Sequence, residues 1–360
     1  MKLFKWSVVL LALLLAAMAM VPIVNAEEQS DSRHTSLLSQ LKPDDSQTKI
    51  VIQNGFSLTD NLTQTGIPQG SIIQHSDDGI TRVFDSQGKQ ISISKDSESP
   101  QIPTPDGYIS AIDITQVPDG SYIHVNDNGI TDVYLNEKRI LTVISPPGKK
   151  KTIRSANGWI ESSQAGGISQ LGQFTADWKV PSSPPNLQTT AINYIFNEIQ
   201  PEGSIGIVQP VLEYNVGGTH MWTGAPWYVD TNWRGWRGTP ISTQVGNNVR
   251  GILGWNSNLN RWNIIFMDLT NGGYSSSFST NAPNIRTNNV RAVCALEGKT
   301  INNDNDVSGK IIFKNMNFKD VNLNPVSFTW NRQVSTNMGL TNLDVTWTGM
   351  TPVTLWTNNN

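Results

Sequence analysis

From about Ala156 to the C-terminus the chain has almost no helical periodicity, and this restricts the second half to stacked β-sheets. What it carries instead are short alternating or β-branched runs: Gln173 to Val180, Ala191 to Phe196, Ile205 to Tyr214, Gly251 to Trp255, Trp262 to Leu269, Val290 to Leu296, Lys310 to Phe313 and Leu343 to Trp347. Turn signals such as Pro-Ser-Ser-Pro-Pro (181–185), Val216-Gly217-Gly218 and Asn271-Gly272-Gly273 separate them. Strands at this spacing predict an all-β, antiparallel two-sheet β-sandwich or barrel over residues 156–360. Eleven of the 12 Trp fall there with few charges, so the core is large and aromatic. With 37% hydrophobic residues overall, a disordered or collagen-like chain is excluded.

The preceding residues divide into four parts. Residues 1–26 read as an export signal: Lys2 and Lys5, an apolar run from Ser7 to Val24, and the small-residue cleavage pattern Val24-Asn25-Ala26. A secreted or cell-envelope location is therefore expected, with an uncleaved anchor as the alternative. Residues 27–60 are polar and expected to be flexible. Over 61–145 a unit repeats at a constant offset of 50: Gly70-Ser71-Ile72-Ile73 with Asp78-Gly79-Ile80-Thr81 recurs as Gly120-Ser121-Tyr122-Ile123 with Asn128-Gly129-Ile130-Thr131. An Asp-Gly or Asn-Gly pair between alternating runs predicts a β-hairpin in each copy, because both residues tolerate positive φ. Residues 146–155, with Lys149-Lys150-Lys151, read as a basic linker and a candidate processing site.

Composition removes several functions. A formal charge of −3 without a basic stripe argues against nucleic acid as a partner. One cysteine, Cys294, forbids an intrachain disulfide or a multi-Cys metal site, and its apolar neighbours predict a buried, inert thiol. Of four histidines only His220 lies in the Trp-rich half, so a Ser-His-Asp triad would depend on it alone. There is no phosphate-cradling Gly-rich loop, and no cofactor or metal is expected; Asp304-Asn305-Asp306 reads as a turn rather than a Ca²⁺ site.

In Ile207–Tyr214 the two-residue period puts Gln209, Val211 and Glu213 on one face, and Val208, Leu212 and Tyr214 on the other. Pro210 lacks a ladder donor and predicts an edge or bulged position. Glu297 closes the apolar run Ala292 to Leu296. With Asn157-Gly158-Trp159, Trp178-Lys179-Val180-Pro181-Ser182, Asn193 to Glu198, and Ser308 to Asn315, these segments occur in an order that resembles the eqolisins, the glutamic peptidases. In that comparison Tyr194 and Glu198 fall on the Trp and Asp of A-W-V-G-I-D, Gln209 on the Gln of I-L-Q-T-G-V-D, and Ala292–Glu297 on A-E-W-I-V-E. Tyr194 replaces the Trp, the aromatic cluster Trp222 to Tyr228 lacks the family's Glu, and Pro210-Val211 replaces Thr-Gly.

The resemblance implies a concanavalin-like two-sheet sandwich, a catalytic pair Gln209 and Glu297, and substrate contacts from Trp159, Tyr194, Glu198, Glu213, Trp222 and Trp227. It further implies a secreted acid-acting endopeptidase made as a precursor, with a peptide or protein as partner, no stable membrane insertion after signal cleavage, and a monomeric state. A carboxylate would move the protons of a bound water, and an amide N–H would hold the oxyanion. Two other readings remain open on sequence: a non-catalytic envelope or carbohydrate-binding protein using its Trp rings for stacking, and a glycoside hydrolase using Glu213 with Glu297.

Overall fold

A computed structural model describes residues 47–52, 72–144 with short breaks, and 157–359 apart from 204–205, 232–233 and 337. The export signal and the basic linker lie outside the described residues. The first half contributes β1 (Gln47–Ile52), β2 (Ile72–Ser76), β3 (Ile80–Phe84), β4 (Gln90–Lys95), β5 (Gln101–Thr104), β6 (Gly107–Ser110), β7 (Ile114–Val117), β8 (Ser121–Val125), β9 (Ile130–Leu135) and β10 (Lys138–Ile144). The second half contributes β11 (Asn157–Ile168), β12 (Leu171–Lys179), β13 (Ile192–Pro201), β14 (Ile207–Tyr214), β15 (Trp222–Val229), β16 (Gly235–Gly238), β17 (Ile241–Thr243) and β18 (Asn248–Asn256). It continues with β19 (Arg261–Asp268), β20 (Tyr274–Thr280), one short helix (Pro283–Thr287), β21 (Val290–Lys299), β22 (Ile311–Asp320), β23 (Asn331–Val334), β24 (Asp344–Trp347) and β25 (Val353–Trp356).

These strands build a β-sandwich of two large sheets. One runs β24-β25-β22-β12-β18-β19-β20-β8-β9-β10-β1-β2-β3-β4, the other β23-β11-β21-β13-β14-β15-β16-β7, with β17 beside β15. Within the second half the named pairings are antiparallel. Alternation decides which side chains meet between the layers. Phe174, Trp178, Phe266 and Phe313 of the first sheet join Ile195, Leu212, Tyr228, Trp236 and Leu296 of the second in one buried cluster. Each such ring or branched side chain contributes about 1.5–3 kcal/mol relative to exposure. Trp178, Trp227, Trp236, Trp262 and Trp330 are all fully buried, so much of the Trp enrichment is spent on packing. Cys294 is buried there too, and burial pushes its thiol well above the ordinary range.

Close approach of the layers depends on glycine at two inward positions. A Cβ on Gly224 would fall 1.9 Å from Cε1 of Phe266, and one on Gly251 would fall 2.0 Å from Oδ1 of Asn197. Gly224→Ala is therefore expected to cost about 1–3 kcal/mol by overpacking; a urea midpoint equal to that of the native chain would contradict this contact.

The repeat forms hairpins in both copies, β2–β3 and β8–β9. It does not stand apart from the sandwich. β8 adds to the first sheet by parallel pairing with β20, and β7 adds to the second by parallel pairing with β16. Side chains reinforce the junction: Asp119 accepts from the Ser277 backbone, and Asn281 brackets Val125 through both its N–H and its C=O. Within the stretch expected to be flexible, Gln47–Ile52 is a strand held between β10 and β2. The Pro210 expectation is also corrected. β14 is an interior strand without a bulge at this point, and Pro210 lies opposite Pro226, so two residues lacking an N–H face each other.

Candidate active site

β13, β14 and β21 are buried almost throughout, because their sheet is covered on both sides. The face turned away from the main core carries a second cluster, with Tyr194, Phe196, Val211, Ala225, Trp227, Val293 and Ala295 packed beside Trp159. The sequence-predicted residues fall on this face with one exception. Trp222 points into the main core, where its indole N–H donates to Ser183, so it is removed from the substrate-contact set.

Strand register sorts the remaining residues into two polar rows separated by an apolar one. The first row is Trp159, Glu297, Tyr194 and Glu213 on β11, β21, β13 and β14. The apolar row is Ala295, Phe196, Val211 and Ala225. In the other polar row, Phe196 opposite Val211 and Ile199 opposite Val208 set Glu198 opposite Gln209. That row continues through Trp227 on β15, Arg237 on β16 and Gln116 on β7, and in the other direction through Val293 on β21 and Gln164 on β11.

Glu213 is committed to the fold. Its carboxylate accepts Nε of Arg237 at 3.0 Å, a second Arg237 bond through Nη2, the Trp227 indole N–H and the Thr223 hydroxyl. Both ion-pair partners are buried. Burial opposes the Arg237 charge, but Glu213 outweighs it and the guanidinium pKa rises. Glu213 therefore has no free lone pair geometry to offer a substrate and serves as an anchor. Arg237 and Gln116, which donate and accept a 3.3 Å bond from Nη1 to Oε1, were not singled out from sequence. The available signal was an arginine inside the otherwise uncharged Gly235-Trp236-Arg237-Gly238, which in a buried strand demands an acid.

Gln209 and Glu297 share the face, two strands apart and four residues out of register, and Oε1 of each is buried without a hydrogen-bond partner among the described residues. Directly opposite residues have Cβ atoms about 4.5–5.5 Å apart, so the acid facing Gln209 across one strand pair is Glu198. Val293, which replaces the first acid of the A-E-W-I-V-E pattern, is the next residue in that row. Gln209 is 8% exposed, and its Oε1 has no hydrogen-bond partner among the described residues, so this oxygen is not spent on the fold. Glu297 is 2% exposed; burial first, and the Glu198 charge second, push its carboxyl well above the usual range.

The region before the sandwich also reaches this sheet. β5 and β6 form a hairpin whose backbone lies against β11, and β5 also approaches β21. β7 is paired to β16 at the far side of the same sheet.

The Asp304–Asp306 turn is spent on structure: Asp306 accepts from Thr189 and Asn186, and Asp304 from Thr341. His220 lies on an exposed loop with its ring against Tyr214. Among the described residues, no helix is long and apolar enough to cross a membrane.

No protein-family model and no curated protein matches the sequence. Among solved structures, the chain is similar to scytalido-glutamic peptidase with a transition-state analogue inhibitor, at 14% identity and a TM-score of 0.43, covering 56% of this chain and all of that one. It is also similar to SCP-B, a member of the eqolisin family of peptidases in complex with the tripeptide Ala-Ile-His, at 14% identity, a TM-score of 0.39 and the same coverage. A third is the CBM2 module of Lactobacillus casei BL23 phage J-1 evolved Dit, at 9% identity and a TM-score of 0.31, covering 87% of this chain and 98% of that one. At these values the functional reading rests on the residues of this chain.

Proposed function

We propose that this chain is an exported endopeptidase that hydrolyses peptide bonds with water activated by a carboxylate and an amide, Glu198 and Gln209. The observation that carries this reading is their direct cross-strand opposition on an aromatic face, with the Gln209 Oε1 left uncommitted. In its ionised form Glu198 takes a proton from water as the oxygen attacks the scissile carbonyl, and returns it to the leaving amine. The Gln209 amide N–H donates to the developing oxyanion, a contribution of about 3 kcal/mol in comparable sites. Phe196, Tyr194 and Trp227 flank the pair and supply apolar surface for an extended peptide.

The low exposure of Gln209 and Glu198 fits a precursor that opens when the chain is cut in the linker at Lys149–Lys151. The enzyme acts as a monomer outside the cytoplasm. A competing Glu213–Glu297 glycosidase would need a carboxylate that Arg237 holds.

Incubating the linker-cleaved chain with denatured protein between about pH 3 and 6 tests the proposal. Peptide products are expected, and Gln209→Ala is expected to lower kcat by about 10²–10³-fold, the scale of losing an oxyanion donor. Absence of products, or unchanged kcat in Gln209→Ala, refutes it.

A further inference from the structure

A cavity of about 270 Å³ opens beside β11 and β23, lined by Trp159, Glu161, Ser162, Gln164, Gln333 and Ser335 among others. None of the chemistry above uses Glu161. It is 1% exposed, and no side chain donates to either carboxyl oxygen among the described residues; the Trp159 indole N–H is likewise buried without a partner. A carboxyl in this position costs several kcal/mol as an anion unless something pairs with it. The cation close by, Arg332, is already bonded to Asp344 at 3.1 Å. We infer that the cavity is a subsite for a primary ammonium group, presented by a lysine of a peptide lying along the Gln209–Glu198 row.

Three features support this occupant. Gln164 belongs to the same row as Gln209, three strands away, about 14 Å, which an extended peptide covers in about four residues. Ser162, Gln164 and Gln333 supply oxygens for the remaining ammonium protons. Burial raises the Glu161 carboxyl to about 9, with Asp344 adding to the rise and its backbone amide and Arg332 opposing it, so a paired cation would restore the ionised form. The lysine preference rests on the proposed peptidase reading, whereas ammonium binding does not.

The experiment titrates the full chain at pH 7 with n-butylammonium and, separately, n-butanol, following the Trp159 indole N–H by NMR. Butylammonium is expected to bind at least about tenfold more tightly, with the difference erased in Glu161→Gln and butanol binding unchanged; tenfold corresponds to about 1.4 kcal/mol. Equal affinity of the two probes for the native chain overturns the inference whatever the variant does, and so does discrimination that survives in a folded Glu161→Gln. Ammonium selectivity in a chain that cleaves no peptide would keep this site and remove the catalytic reading.

Discussion

Arg237→Met is expected to lower the unfolding free energy by about 3–5 kcal/mol, the cost of leaving one member of a buried ion pair without its partner. The magnitude follows from what Glu213 would lose. Two guanidinium bonds disappear, only the Trp227 indole and the Thr223 hydroxyl remain, and the carboxylate is 0% exposed. The double variant Arg237→Met with Glu213→Gln is expected to recover part of the loss, because no stranded charge remains. Removing only the outermost contact, Gln116→Ala, costs about 1 kcal/mol, the net worth of one hydrogen bond. Urea unfolding at fixed pH checks the series. A single Arg237 variant as stable as the native chain would mean that the ion pair does not anchor the sheet. Because Gln116 comes from β7, this series also tests whether the region before the linker is part of the folded unit after cleavage.

Stability is expected to peak near pH 4 and to fall toward neutrality, the reverse of the usual acid-labile pattern. Glu161 and Glu297 have folded-state pKa values raised above the ordinary 4.5 by burial. Below pH 4.5 they are protonated in both states and contribute nothing to the pH dependence. As pH rises past that value the unfolded chain releases their protons and the folded chain does not, so folding weakens by up to about 1.4 kcal/mol per pH unit for each group. For Glu161 this continues to about pH 9. Asp177, Asp268 and Asp306 act in the opposite sense on the acid side. Burial works against their charge, but Arg250 and Asn315 at Asp177, Thr243 and Asn247 at Asp268, and Thr189 and Asn186 at Asp306 hold their pKa values below 3.8. Their contribution is present above 3.8 and is lost as pH drops through the folded values. Urea midpoints measured from pH 3 to 8 should therefore show an acidic maximum, and Glu297→Gln should raise the midpoint at pH 7 but not at pH 4. A curve flat or rising between pH 5 and 7 would contradict the burial of these two acids.

The sequence disclosed the sandwich because alternation and turn residues are local properties. Every run named from Gln173 to Trp347 overlaps a strand to within one or two residues at its ends, and the two faces of Ile207–Tyr214 are the ones alternation assigned. Pairing between distant strands was not legible. Which acid faces Gln209 depends on the register of β13 against β14 and β21, and a shift of four residues moves a carboxylate by about 13 Å while leaving it on the same face. Glu198 and Glu297 therefore looked equivalent in pattern and differ only in register. Trp222 was misassigned for the parity of a single residue: it is one position before Thr223, and neighbours on a strand point to opposite faces. The joining of β7 and β8 to the two sheets is a long-range, parallel contact that no local motif announces.

Which carboxylate works with Gln209 is measured directly by kcat for a single peptide substrate, compared between Glu198→Gln and Glu297→Gln. Loss of about 10³-fold or more in the first, with the second retaining kcat to within about tenfold, is the expected result for a general base that is removed and a buried neighbour that is not. Full activity in Glu198→Gln, or abolition of kcat in Glu297→Gln alone, would contradict it.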